Sequence, residues 1–386
     1  MSAQKYLTQT PWITFQYAVS FNEFWALLGE AYSKTQHLTG IPLQPALAQK
    51  LGNVYLRKGA LATTAIEGNT LSANELDNIL DNGRELPQSQ EYLEQEVRNV
   101  IRALEEIDQS RAHGTFRLTP EWIREQNAKI LDGLDVSEHV VPGEYTQTQL
   151  VVGNYKTAPP QDVPYLVERM CDWINRDYLD LINDPQTPKD QRFYLAFLAA
   201  ALAHLYIAWI HPFGDGNGRT ARNLQVAILS NCGVVPWVST NLLSDFYNRT
   251  RSRYYRALDR ASKAGEVAEF VEYSARGYVD LLREQIEDVQ ASQRRVAWVN
   301  YVHEVLHDEA SGHAKDRRRD LALAMSEKPL AKRELMIITP ALAAEYFNTE
   351  RMLSRDLTRL KELGLVRKTG RAEWVANVSL MDAFIA

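Results

Sequence analysis

Cysteine is almost missing from this chain: Cys171 and Cys232 are the only two in 386 residues. With no Cys-x-x-Cys pair and no His/Cys set at ligand spacing, a disulfide scaffold and a structural zinc site are both excluded. Excess positive charge is missing too. The net charge of −6 gives no global attraction to nucleic acid, although it leaves a local basic patch open. No basic-then-apolar leader follows Met1, so a reduced, cytoplasmic protein is expected. Neither a repeat nor a low-complexity tract occurs, which sets aside solenoids and long disordered linkers. Long apolar runs are few. Only residues 193–210 approach a membrane-spanning length, and their alanines suit close helix packing, so a buried central helix is expected with His204 as a core histidine. Two common phosphate motifs are also lacking: no lysine follows Gly218 as a P-loop requires, and no Gly-x-Gly-x-x-Gly follows a strand.

What is present is concentrated in one run, His211-Pro212-Phe213-Gly214-Asp215-Gly216-Asn217-Gly218-Arg219-Thr220-Ala221-Arg222. Gly214, Gly216 and Gly218 let the backbone adopt left-handed conformations and bring successive amides onto an anion. From Arg219 the pattern turns helical and stops at Gly233, so the loop sits at a helix N-terminus, where unpaired amides and the macrodipole favour phosphate. Arg219 and Arg222 share one helix face and can reach the same polyphosphate. Asp215 is placed to hold Mg²⁺, which binds through one or two carboxylates plus substrate oxygens. His211 is the residue able to accept a proton near neutral pH. Together they point to attack of a hydroxyl on a nucleotide phosphorus.

The run resembles, position for position, the signature of Fic-family proteins, His-x-Phe-x-Asp/Glu-Gly-Asn-Gly-Arg-x-x-Arg. The resemblance implies transfer of AMP from ATP to a Ser, Thr or Tyr hydroxyl of a protein, the chain itself included. It implies His211 as general base, Asp215 as the Mg²⁺ ligand, Asn217 as an orienting contact, and Arg219 and Arg222 on the β and γ phosphates. The amides from Gly216 to Gly218 would form the anion hole. The nucleotide-facing set it implies is Glu67, His211, Gly216, Asn217, Gly218, Arg219, Thr220, Ala221 and Arg222, joined by Asn248 and Tyr255.

Upstream, Thr63-Thr64-Ala65-Ile66-Glu67-Gly68-Asn69 resembles the family's inhibitory motif, and its position before the core corresponds to class II. Glu67 paired with Arg222 would withhold the guanidinium from the γ-phosphate and put negative charge where phosphate must bind. Pro142-Gly143-Glu144-Tyr145 opens a stretch expected to form a hairpin with a Gly153-Asn154 turn, closed by Pro159-Pro160. In Fic proteins a flap here holds the target segment by strand addition. Where many members carry arginine after the tyrosine, this chain has Thr146. The helix around Tyr254-Tyr255 is similar to one lining the adenine pocket, and adjacent tyrosines point to different faces, so one of them belongs to the core.

The rest reads as mainly α. Helices are expected over Phe21–Ser33, Leu43–Thr64, Ser72–Leu80 and Leu93–Ile107, forming an N-terminal domain (residues 1–117) that delivers Glu67. Thr119 and Pro120 start the catalytic core, residues 118–282. Residues 283–386 are expected to comprise a connecting helix and a winged helix-turn-helix. In that domain a short helix runs over Ile338–Tyr346, with a turn at Asn348 and a second helix over Thr349–Leu363. A hairpin of Leu365–Lys368 and Ala372–Val375 follows. Arg351, Arg355 and Arg359 recur on the second helix, and Arg367, Lys368 and Arg371 flank the wing, as DNA contact requires. The alternatives kept open are transfer of another nucleotide or phosphoryl group, and a DNA-binding regulator using the core as nucleotide sensor. Expected partners are ATP and a target protein hydroxyl, with DNA and a homodimer partner left open and no membrane.

Overall fold

The computed structural model describes residues 13–15, 17, 22–111, 115–153, 155–347, 349–370 and 372–382. Phe21, Asn154, Asn348 and Arg371, each part of an expectation above, lie outside the described residues. The chain divides into two compact units, residues 1–285 and 286–386. The first therefore contains both the N-terminal helices and the signature run.

Three of the N-terminal helices form where the apolar spacing places them, α2 Pro45–Ile66, α3 Ala73–Asn82 and α4 Glu91–Ser110, whereas α1, Asn22–Gly40, continues past the expected end at Ser33 up to a glycine. Ser72 starts α3 through a capping box with Glu75, and left-handed Gly83 ends it. Helix α5 (Pro120–Leu131) starts on the Thr119 hydroxyl, which accepts from Trp122 N–H. Strands β1 (Val151–Val152) and β2 (Tyr155–Lys156) form an antiparallel hairpin with Val152 opposite Tyr155. Helix α6 (Val163–Ile174) continues through a π-helical turn, Asn175–Leu179, into α7 (Asp180–Asn183). Asn175 uses this turn to hold the Leu118 backbone, accepting from its N–H at 2.9 Å and donating to its carbonyl at 2.7 Å.

Helix α8 (Lys189–Ile210) is the centre of the unit. Its most apolar window is long enough to cross a membrane, yet 83% of that window is buried. Alanines at 196, 199, 200, 201 and 203 are fully buried, which lets neighbouring helices approach closely. It packs chiefly on α9 (Asn217–Asn231), and also on α1 and α6. Helices α10 (Leu242–Arg249), α11 (Arg251–Ala264) and the start of α12 (Ala268–Val305) complete the unit.

In residues 286–386, α13 (His313–Ala324) is followed by β3 (Leu330–Ala331), α14 (Lys332–Leu335), α15 (Pro340–Tyr346), α16 (Glu350–Glu362), β4 (Val366–Thr369) and β5 (Glu373–Ala376). The order from α15 to β5 is helix, helix, hairpin. β3 adds a third strand beside β5, giving the order β3-β5-β4. At two residues β3 is too short to carry a period-2 pattern, so the sequence gives no sign of it. Buried Asp356 joins α16 to α13 by ion pairs with Arg317 at 2.7 Å and Arg318 at 3.0 Å.

Candidate active site

The signature loop is built from the end of α8 and the start of α9. α8 stops at His211, whose backbone is left-handed (φ 52°) while its N–H still bonds Ile207 O at 2.8 Å. A non-glycine residue held there costs about 1 kcal/mol or more, and the strain falls on a side chain that faces a cavity. Asn217 locks the loop: it accepts from Phe213 N–H at 2.9 Å and donates to Phe213 O at 2.7 Å. Asn127 on α5 holds the other side, donating to Asp215 O at 2.9 Å and accepting from Gly143 N–H at 2.9 Å. Gly216 is required twice over, by a φ of 78° and by an Asn127 amide that a methyl would meet at 2.8 Å.

Beside the loop lies the root of the hairpin. Tyr145 bridges Phe213, and Thr146 N–H donates to Pro212 O at 2.8 Å. The Thr146 hydroxyl closes a local turn with Thr148, so the position that carries arginine in many relatives is a buried structural residue here. Tyr155 anchors β2 by donating to Trp209 O at 2.9 Å, while Val151 and Val152 stay exposed on β1.

A cavity of about 670 Å³ opens over the N-terminus of α9. Of the residues expected to face nucleotide, it brings together Glu67, His211, Asn217, Gly218, Ala221, Arg222 and Tyr255. Asp215, Gly216, Arg219, Thr220 and Asn248 do not line it. Gly216 N–H donates to Asp215 Oδ1 at 2.5 Å, so the amides left for an anion are those of the first turn of α9, which no helix carbonyl can serve. Thr220 is fully buried with its hydroxyl towards Asn127. Burial holds the His211 imidazole down at about 4; the Ala208 carbonyl and the Glu67 and Asp215 charges pull it up but do not prevail. The group is therefore a neutral base at physiological pH.

Arg222 is 2% exposed and pairs with Glu67 Oε1 at 2.6 Å. Its Nε donates to Thr63 Oγ1 at 2.5 Å and Nη2 to Thr63 O at 3.0 Å. Glu67 stands at the end of α2 with 32% of its side chain open. Burial raises its carboxyl, but the charge and hydrogen bond of Arg222, helped by Arg219 and Arg251, bring it below the ordinary carboxylate value. A Cβ at Gly218 would collide with Glu67 Oε1, so the carboxylate sits directly against the glycine turn.

Arg219 is held elsewhere, although it lies only one helical turn from Arg222. It meets Glu96 of α4 at 2.5 Å and Asp215 at 3.2 Å, and it is 5% exposed. Glu96 in turn accepts from Asn69 Nδ2 at 2.8 Å, and the same amide donates to Leu93 O. The motif asparagine thus pins the turn after α2 to α4. Glu96 and Asn127 were not singled out from the sequence: each meets its partners only through contacts far apart in the chain. Tyr254 is buried and Tyr255 half exposed, as adjacent helical tyrosines should be. The Tyr255 hydroxyl donates to Ile66 O at 3.2 Å, and Arg251 bonds the same carbonyl. Arg256, Asp259 and Ser262 complete that wall of the cavity.

Residues 117–229 match the Fic/DOC family. Over 217 residues the chain is 31% identical to protein adenylyltransferase fic-1 of Caenorhabditis elegans, covering 55% of this chain and 38% of that protein. It is 28% identical over 214 residues to protein adenylyltransferase Fic of Nematostella vectensis, covering 55% and 45%. The matched stretch is thus less than half the length of these relatives. Among solved structures, a Fic family protein from Desulfovibrio desulfuricans G20 shares the fold over 94% of this chain and 98% of its own, with a TM-score of 0.57 at 18% identity. Fic-1 from C. elegans aligns with a TM-score of 0.54 at 25% identity, over 70% of this chain and 73% of its own.

Proposed function

We propose that this chain, which carries a Fic domain at residues 117–229, is a protein adenylyltransferase that moves AMP from ATP to a protein hydroxyl. The observation that carries this reading is that one cavity gathers a neutral His211, the first-turn amides of α9 and the guanidinium of Arg222. A neutral imidazole carries a proton on one ring nitrogen and leaves the other bare to accept the hydroxyl proton. The hydroxyl oxygen attacks the α-phosphorus, the bond to the bridging oxygen breaks, and pyrophosphate leaves. The α9 amides and macrodipole stabilise the charge on the phosphates. The exposed edge of β1 offers backbone groups to an extended target segment.

Asp215 fits a Mg²⁺ that arrives with the nucleotide. Its side chain is half exposed, and Gly216 N–H and Arg219 are both bound through Oδ1, so Oδ2 is bonded to neither. Such an ion completes its sphere with phosphate oxygens and water and offsets triphosphate charge.

Glu67 keeps this site in check by occupying Arg222, the group that would hold the γ-phosphate. For residues 286–386 we propose DNA contact through Arg351, Arg355, Arg367 and Lys368, all exposed. Buried, free Cys171 and Cys232 suit a reducing compartment. The test is label transfer by Glu67→Gly protein from ATP carrying ³²P at either the α or the γ position. Label should reach protein from the α position alone; label from the γ position means phosphoryl transfer instead.

A further inference from the structure

Glu67 is held in the site from more than one direction, because the motif around it meets both arginines of α9. Thr63 and Glu67 take Arg222 directly, at 2.5 Å to Nε and 2.6 Å to Nη2. Asn69 reaches Arg219 through one intermediary: its Nδ2 donates to Glu96 Oε2 at 2.8 Å, and Glu96 Oε1 pairs with Arg219 Nη1 at 2.5 Å. The same Nδ2 donates to Leu93 O at 2.9 Å, while Oδ1 accepts from Leu71 N–H at 2.9 Å. Asn69 and Glu96 are both buried, so water competes little for these bonds.

The backbone shows what these bonds govern. Ile66 ends α2, and its carbonyl is one of the last four that the helix itself cannot serve. Tyr255 and Arg251 of α11 donate to it instead. Glu67 comes next, then Gly68 at φ 109°, with open space where a Cβ would stand, so that residue adds no packing to the turn. The amides of residues 67 to 69 bond back to Thr64 and Ala65, and those bonds move with α2. Glu67 therefore lies between two outside supports, α11 before it and α4 after it. Unfastening Asn69 leaves it supported on one side.

We propose that Asn69 is a positioning residue for inhibition: by fastening the end of α2 to α4 it keeps Glu67 against Arg222. This rests on the reading of Glu67 as the inhibitor given above. The competing role is local, since the bond from Leu71 N–H to Oδ1 shapes the turn before α3. The two roles separate at serine, which keeps an oxygen able to accept from Leu71 N–H but is too short to reach Glu96 or Leu93 O. A role in general stability separates differently, because its effect would not depend on the presence of Glu67.

The experiment is the initial rate of protein labelling from α-³²P ATP with Mg²⁺, for Asn69→Ala and Asn69→Ser, each made in wild-type and in Glu67→Gly protein. In the wild-type background both should label about three- to tenfold faster, the effect of one or two lost hydrogen bonds on the balance between docked and released Glu67. Neither should exceed Glu67→Gly, which has no docked carboxylate to release. In the Glu67→Gly background both should change the rate by less than about twofold, because the coupled partner is absent. Should Asn69→Ala fail to fold, Asn69→Ser decides alone, since it keeps the local turn. Labelling no faster than wild type in Asn69→Ser, or the same factor of change in both backgrounds, overturns the inference. A Glu67→Gly parent no faster than wild type contradicts instead the inhibitory reading on which it rests.

Discussion

Replacing Glu67 by glycine should speed the proposed AMP transfer and leave the protein slightly less stable. Removing one partner of a fully buried ion pair costs about 3–5 kcal/mol. Here the cost is smaller. Glu67 keeps 32% of its side chain open, and Arg222 retains two bonds to Thr63. A loss of about 1–2 kcal/mol in urea unfolding is expected, in the range of an incompletely compensated polar group. The gain lies in the reaction. A freed Arg222 adds a hydrogen bond between charged groups, worth about 1.5–3 kcal/mol, and so about a ten- to hundredfold faster transfer at subsaturating ATP. The assay is initial rate of label transfer from α-³²P ATP with Mg²⁺, self-modification included, at equal protein concentration. Adding Arg222→Ala should cancel the gain, because the freed partner is then missing. A Glu67→Gly protein no faster than wild type refutes the inhibitory assignment.

Three further outcomes follow from the same geometry. The Glu67 carboxyl is depressed below 4.5, so the stability of its pair with Arg222 is present above that value and lost as pH falls through the lower folded value; inhibition should be flat from about pH 6 to 9. With His211 held near 4, kcat/KM of Glu67→Gly protein should show its acid limb near pH 4, and a limb centred near 6.5 contradicts the burial of the base. Glu96→Gln should cost about 2–3 kcal/mol in urea unfolding, because Arg219, 5% exposed, loses its principal countercharge; a loss under about 0.5 kcal/mol, the size expected of a surface change, removes Glu96 from the network. In residues 286–386, Arg359 is engaged by Glu309 and Glu362, so Arg351→Ala with Arg355→Ala is the pair to change. If both touch phosphate, the salt slope of duplex binding should fall by about two, and absence of any duplex binding at low salt removes the DNA assignment.

The parts of the site that share a short stretch of chain were legible in the sequence. The run from His211 to Arg222 forms a helix end, a glycine turn and a helix start because those residue types allow little else locally. The pairing of Glu67 with Arg222, 155 residues apart, was reached through the family resemblance, since spacing alone cannot bring such residues together. Helix periodicity located α2 to α4 and α16 to within about three residues at each end, and caps located the start of α5, because amphipathic spacing and caps are local signals; α1 runs on to Gly40, well past the expected Ser33. Contacts that close between helices were hidden. Arg219 and Arg222 look equivalent on a helix wheel, yet α4 supplies a carboxylate to the first and α2 to the second. Asn175, Asn127 and Glu96 read as ordinary surface polar residues until the fold surrounds each with backbone or charge.

The most direct test of the central claim compares Glu67→Gly protein with Glu67→Gly/His211→Ala protein, each incubated with α-³²P ATP and Mg²⁺ and each titrated with ATP by calorimetry. His211→Ala removes the base and none of the groups that hold phosphate. The account predicts loss of protein labelling by a factor of about a hundred or more, as for removal of a general base, with ATP affinity kept within about twofold. Labelling near the rate of the Glu67→Gly parent, with ATP bound equally well, would contradict the assignment of His211 as the base and with it the mechanism proposed for this cavity.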